Sequence, residues 1–199
     1  MDINTKDVAY CVGMSLGESL ETQNLGELDA AEMMEGMRAI FEKKEPKFTA
    51  EQANVLIQSY LNEITAKKFE QYKKEGVAFL EENGKRAEVK TTASGLQYEV
   101  LREGNGKRPT ASDTVEVHYH GTLIDGTIFD SSIQRNQTAK FGVTQVIKGW
   151  TEALQLMTEG SKYRLYIPEE LAYGAHPHPG GAIKPYMALI FDVELIHVL

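Results

Sequence analysis

A single cysteine, Cys11, stands in this chain of 199 residues, so no intramolecular disulfide can staple it. Its place in an apolar helical stripe points to a small buried hydrophobe, not a reactive thiol. Long apolar runs are also missing: the longest is Met187 to Phe191, far short of the roughly 20 residues that cross a bilayer. No membrane segment is expected. The opening residues are too polar for a signal peptide, so the expected compartment is the cytoplasm, or the periplasm if a leader has been removed. Positive charge is in deficit, 21 Lys and Arg against 29 Asp and Glu, for a net charge of −8. Without a basic surface there is little to release counterions from phosphates, so nucleic acid is excluded as a general partner and a polypeptide fits better. Internal repeats and low-complexity tracts are absent too.

What is present is ordinary globular composition, 42% hydrophobic and 25% charged, in a chain long enough for one large domain or two small ones. Its two halves have different periods. From Lys6 to about Glu82 apolar residues recur at three and four spacing: Val8, Cys11, Val12, Leu16 and Leu20 line one helix. Gly13 and Gly17, one turn apart on it, let another backbone approach closely at some cost in helix stability. Asp29 with Glu32 reads as a capping box for a second helix with the stripe Met33, Met37, Ile40 and Phe41, ended by Pro46. Thr49 with Gln52 opens a third, which can run to Asn83 before Gly84 stops it; at 1.5 Å per residue this connecting helix would be on the order of 50 Å long. Its stripe is dense over Val55, Ile57, Tyr60, Leu61 and Ile64, then thin and rich in Lys and Glu, which predicts a buried first part and a solvated stalk. Helices this few bury little surface alone, so homodimerisation through residues 1–65 is expected, a helical appendage on the second half being the alternative.

After Gly84 the period changes to two. Leu96, Tyr98 and Val100 recur at every second position, as do Val115, Val117 and Tyr119, then Tyr163, Leu165 and Ile167, then Leu189, Phe191, Val193 and Leu195. Asp125-Gly126 signals a hairpin. Trp150, Ala153, Leu154 and Met157 mark one short helix closed by Gly160. The fold class is therefore α+β: an antiparallel β-sheet with a short helix against one face, from about residue 92 to 199, preceded by an all-α arm over residues 1–91 with one long connecting helix.

The densest chemistry lies between Val117 and Trp150, where VHYHGTLIDGTIFDSS is followed by QVIKGW, with IPEELAYG downstream. Several aromatics and only two acids, Asp125 and Asp130, in a turn-rich β segment make an apolar pocket with few polar groups. Such a pocket suits a substrate whose hard step is a rotation, as at an X-Pro peptide bond. Amide resonance sets a barrier near 20 kcal/mol, and taking the planar, charge-separated amide out of water makes planarity less favourable. Hydrogen bonds offered to the twisted geometry then lower the barrier selectively, with no need of nucleophile, metal or cofactor.

These blocks, with SGLQYEVL at 94–101 and LIFDVEL at 189–195, resemble the FKBP-type peptidyl-prolyl cis-trans isomerases, whose fold is an antiparallel sheet wrapped around a short helix. The helical first half is similar to the dimerisation arm of the Mip-like bacterial members, with AFLEEN at 78–83 near the end of its long helix. The resemblance implies an isomerase that rotates Xaa-Pro bonds in unfolded or flexible polypeptides and assists folding. It also implies macrolide ligands of the rapamycin type and no cofactor. Carried over position by position, it places catalytic roles on Asp130, Tyr173 and Tyr119, and substrate binding on Phe129, Phe141, Val146, Ile147, Trp150, Ile183 and Phe191. Trp150 would floor the proline ring. The Ile147 N–H and the Tyr173 hydroxyl would hold substrate carbonyls, and the Tyr119 hydroxyl would orient the Asp130 carboxylate. Two departures stand out: Ala139 where the family often has an aromatic, and a long loop after Tyr173 with Ile183-Lys184-Pro185 in place of a shorter stretch ending in IPP.

The same residues have plainer uses. Tyr119, Phe141 and Phe191 taken singly are core residues of a small sheet, and Asp130 before two serines can cap a turn. His118 and His120 share a strand face, and His176 and His178 share a loop. Without a nearby cysteine or paired acids to complete a ligand set, no metal site is expected there. The competing function is a non-enzymatic dimeric chaperone or peptide-binding module that uses the same pocket without turnover. A third is a structural dimer whose second domain docks one protein.

Overall fold

The computed structural model describes residues 3–23 and 25–199. The chain divides into two compact units, one ending at Ile64 and one beginning at Thr65.

The first unit holds α1 (Thr5–Thr22), α2 (Ala30–Phe41) and most of α3 (Ala50–Lys68). Its helix starts follow the polar residues that precede them. The Asn4 side chain accepts from the Lys6 N–H at 3.1 Å, and Asp29 accepts from Ala31 and Glu32 at 2.7 and 3.1 Å. Only the second expected box is reciprocal: Gln52 N–H donates to Thr49 Oγ1 at 3.2 Å and Thr49 N–H to Gln52 Oε1 at 2.9 Å. At the first, the Glu32 carboxylate turns away to Lys47, 2.7 Å off. None of these helices has a buried residue, and Val8, Val12, Leu16, Val55 and Ile57 are exposed. Cys11, expected inside, is exposed as well, because none of the described residues covers the stripe it sits on. For the same reason no backbone approaches Gly13 or Gly17.

The helical run expected from residue 49 to 83 is two helices, α3 and α4 (Glu70–Asn83), with Phe69 between them at φ −113° and ψ 17°. The interruption falls where the apolar stripe thins out. It has neither proline nor glycine; Phe69 instead stacks on Tyr72 at 6.0 Å. The stretch expected as a solvated stalk is in part a docked helix. Gly76 and Asn83 of α4 are buried, and a Cβ on Gly76 would lie 3.2 Å from Ala188 Cβ. The two buried positions are a glycine and an amide, so the stripe they share with the half-buried Tyr72, Phe79 and Leu80 reads as a weak one. Asn83 donates to Gln97 Oε1 at 2.8 Å, and Phe79 lies 6.0 Å from the Tyr166 ring. Gly84 ends α4 in a right-handed conformation, its lack of a Cβ making room for Gln97, whose Nε2 would otherwise be 2.9 Å away.

The sheet is fully antiparallel, with strands β1 (Val89–Thr91), β2 (Gln97–Arg102), β3 (Thr114–Leu123), β4 (Ile128–Ser131), β5 (Ala139–Gly142), β6 (Lys162–Ile167) and β7 (Leu189–Val198). Their order is β1-β2-β6-β7-β3-β4, with β5 also paired to β3. β1 lies ahead of the expected boundary at residue 92 and pairs with β2. In β3 the residues alternate by face: Val115, Val117, Tyr119, Gly121 and Leu123 are buried, whereas Glu116, His118, His120 and Thr122 are only partly so. The Asp125-Gly126 turn forms as expected, with Gly126 at φ +86° and Leu123 N–H donating to the Thr127 carbonyl at 2.9 Å.

Against the inner face lies α5 (Lys148–Leu156). Its Trp150, Ala153 and Leu154 join Val117, Leu165, Ile167, Leu189 and Val193 in one core, each fully buried large side chain contributing about 1.5–3 kcal/mol. The helix ends at Leu156 with Met157 already extended, ahead of Gly160, whose φ of +87° belongs to the following turn.

Candidate active site

One end of this core opens into a cavity of about 510 Å³ lined by Tyr119, Phe129, Asp130, Phe141, Gln145, Val146, Ile147, Trp150, Tyr173 and Phe191. The β-strand period aims Tyr119, Phe129, Phe141 and Phe191 inward from β3, β4, β5 and β7. Val146 and Ile147 lead into α5, and Trp150 projects from its first turn. Ile147 is the N-cap of α5, where backbone N–H groups lack a helical partner.

Trp150, only 4% exposed, is the hub of the aromatic wall. Tyr119, Phe141 and Phe191 meet it nearly perpendicularly at 5.5, 5.8 and 5.3 Å between ring centroids, and Phe129 meets Phe191 the same way at 5.3 Å. Such edge-to-face pairs add about 0.5–1.5 kcal/mol each beyond burial. Gly121 is what lets them converge: a Cβ there would lie 2.7 Å from Phe129 and 2.9 Å from Phe191. Among the described residues, the buried Trp150 Nε1–H is the side-chain polar atom without a partner.

The polar corner is built on Asp130. The Tyr119 hydroxyl donates to Asp130 Oδ2 at 2.6 Å. Arg135, on the turn after β4, donates through Nη1 to Asp130 Oδ1 and through Nη2 to the Tyr119 oxygen, the latter at 2.7 Å. Burial alone would raise the Asp130 carboxyl, but the Tyr119 hydroxyl and the Arg135 guanidinium outweigh it and hold it below the usual carboxylate value. Burial, and then the nearby Asp130 charge, push the Tyr119 and Tyr173 hydroxyls up. At neutral pH the cavity therefore holds one carboxylate and two neutral phenols. The serines after Asp130 cap and pin the turn: Ser131 Oγ accepts from Gln134 N–H at 3.2 Å, and Ser132 Oγ from Tyr119 N–H at 2.7 Å.

Nine of the ten residues singled out from the sequence line this cavity. Ile183 is not among the lining residues; it lies partly buried against the core. Gln145 and Arg135 were not foreseen. Arg135 follows Asp130 by five residues in a polar turn, and only its through-space bonds reveal it. The histidines serve other purposes: His118 and His120 bond Ser132 and Ser131 at 3.0 Å, and His178 faces Tyr173 at 6.4 Å between rings. Among the described residues, no three His, Cys, Asp or Glu side chains gather as a metal site.

Comparison with known proteins identifies the family. The family model described as FKBP-type peptidyl-prolyl cis-trans isomerase matches residues 105–196, and that of the domain amino terminal to it matches residues 5–100. A probable FKBP-type isomerase FkpA of Neisseria meningitidis is 42% identical over 97% of this chain and 74% of its own length. The FKBP-type 22 kDa isomerase of Escherichia coli is 41% identical over 96% of this chain and 94% of its own. The outer membrane protein MIP of Legionella longbeachae is 38% identical over 96% and 84%. The crystal structure of FkpA from Escherichia coli covers 100% of this chain and 98% of its own at 36% identity, with a TM-score of 0.65. No helix among the described residues is long and apolar enough to cross a membrane. With its sheet, its aromatic cavity and relatives matched over nearly its whole length, the chain belongs to the FKBP-type peptidyl-prolyl cis-trans isomerases and catalyses rotation of Xaa-Pro peptide bonds.

Proposed function

We propose that rotation takes place in the Trp150 cavity, with the proline ring seated on the indole and walled by Phe129, Phe141, Val146 and Phe191. The observation that carries this reading is the joining of an apolar, aromatic enclosure to one fixed carboxylate. The enclosure strips water from the amide carbonyl, which costs the planar form most because its resonance separates charge. The Ile147 N–H and the Tyr173 hydroxyl donate to substrate carbonyls flanking the bond. Asp130, held ionised by Arg135 and aimed by Tyr119, faces the carbonyl carbon as the bond twists. These contacts are stronger in the twisted geometry than in either planar one, which is the condition for acceleration. Each direct hydrogen bond is worth about 0.5–1.5 kcal/mol, so losing one slows turnover roughly 3- to 10-fold. A macrolide of the rapamycin type, whose ring buries a proline-like moiety, competes for the same enclosure. The test is the cis-to-trans rate of short Xaa-Pro peptides with Asp130→Ala, Tyr173→Phe and rapamycin.

We also infer that the first unit joins two copies of the chain through residues 1–65. Val8, Val12 and Leu16 of α1 and Val55 and Ile57 of α3 are exposed in one copy, and no residue of α1, α2 or α3 is buried. Helices without a buried face do not stay folded on propensity alone, so a second copy supplies the missing cover. Sedimentation equilibrium at micromolar concentration tests this, and the mass of one chain would contradict it. With two pockets in one particle, an unfolded polypeptide can be held at two prolines at once, which raises affinity without new contacts.

A further inference from the structure

The segment from Pro168 to Met187 brings Tyr173 to the cavity and returns to β7. Its two ends are tied to each other at one point. Tyr186 N–H donates to the Gly174 carbonyl at 2.9 Å, and Gly174 N–H donates to the Glu169 carbonyl at 3.0 Å. Gly174 stands at φ +54°, with the Glu169 carboxylate 3.6 Å from where its Cβ would be. Tyr186 holds φ +64°, a conformation that a bulky residue keeps only when its surroundings enforce it.

Those surroundings come from α4. Lys73 Nζ lies 3.0 Å from Glu169 Oε1, whose side chain is only 11% exposed, and the same ammonium stands 5.4 Å from the centroid of the Tyr186 ring. Its pairing with Glu169 raises the Lys73 pKa above the ordinary value. Three residues on, Gly76 lets the helix close onto Ala188, so Lys73 is held over the loop base by packing as well as charge. One cation thus touches both ends of the loop that bears Tyr173. An exposed ion pair would count for little, but a nearly buried carboxylate stripped of its cation is left uncompensated and moves toward water.

We propose that Lys73 is a positioning residue of the isomerase site. From α4 it clamps Glu169 and Tyr186 together, and so fixes where Tyr173 stands against the substrate. This rests on the role given to Tyr173 above, and the experiment separates the two. In the full-length chain, kcat/KM for short Xaa-Pro peptides is measured for wild type, Lys73→Ala, Lys73→Arg, Tyr173→Phe and Lys73→Ala/Tyr173→Phe. All are read well below the Tm of each variant, with folding checked by circular dichroism. The clamp predicts a loss of roughly 3- to 10-fold in Lys73→Ala, the scale of one hydrogen bond, with Lys73→Arg near wild type. It also predicts that Lys73→Ala costs less than about twofold once Tyr173 is already Phe, because contributions made through one group do not add. An unchanged rate in Lys73→Ala, or the same fold-loss in both backgrounds, overturns the clamp. A Tyr173→Phe variant as fast as wild type overturns the Tyr173 role itself. If Lys73→Ala does not fold, Glu169→Gln breaks the pair from the other side and takes its place in the cycle.

Discussion

The Tyr119 hydroxyl and the Asp130 carboxylate are 2.6 Å apart, and Arg135 donates to both, so the one acid of the cavity has its charge and its direction fixed together. Its pKa lies below the ordinary 3.8 despite the opposing effect of burial. Because the folded-state value is depressed, the stabilisation it brings is fully present above the unfolded value and is lost as pH falls through the folded one. The acid limb of the kcat/KM profile is therefore expected below pH 3.8. Arg135→Met removes the cation and leaves burial less opposed, which moves that limb to higher pH. A limb at the same pH in both proteins would show that Arg135 does not tune Asp130.

Gly121→Ala is expected to damage the site through its walls. The added methyl would sit 2.7 Å from Phe129 and 2.9 Å from Phe191, so one ring must move. Overpacking of this kind costs about 1–3 kcal/mol. Chemical denaturation gives the stability, and the peptide assay on folded protein gives the loss of turnover. A variant that retains both would mean that the rings yield freely.

Alternation along the strands makes the inward faces legible, Val115, Val117 and Tyr119 on β3 and Leu189, Phe191 and Val193 on β7, whereas Asp130, Val146, Ile147, Trp150 and Tyr173 are placed by the family resemblance and not by any period. The docking of α4 is not legible. Its buried positions are Gly76 and Asn83 and its ion pair is made by Lys73, so the three half-buried apolar residues Tyr72, Phe79 and Leu80 are outnumbered by Lys and Glu and the pattern reads as a solvated stalk. Ile183 packs partly buried against the core and is not among the lining residues, a placement that position within a long loop, which carries no register, could not give. Arg135 escapes notice because its partners are defined by the fold and not by spacing.

Trp150→Phe tests the floor. Trimming a nearly buried Trp to Ala costs about 3–5 kcal/mol. Phe keeps a ring and removes the Nε1–H that lacks a partner, so its cost should be well under that of Trp150→Ala. Equal losses in the two variants by thermal or denaturant unfolding would show that a smaller ring recovers none of the packing at this floor.

In the proposed dimer, charges placed on the stripe of α1 should separate the two copies without touching the chemistry. Val12→Glu with Leu16→Glu puts two carboxylates on exposed apolar positions. The expected result is a mass of one chain by sedimentation, with short Xaa-Pro peptides still isomerised at the wild-type rate. A dimer that survives both charges would place the contact elsewhere.

The most direct measurement is the cis-to-trans rate of a short Xaa-Pro peptide with wild type and with the Asp130→Ala/Tyr173→Phe double variant, each with and without rapamycin. Rotation in the Trp150 cavity predicts fast turnover by the wild type, abolished by the macrolide. It predicts a rate at least about 10-fold lower in the folded double variant, from the loss of two contacts made at the twisted bond. Wild-type turnover in that variant, insensitive to rapamycin, would place the reaction outside this cavity.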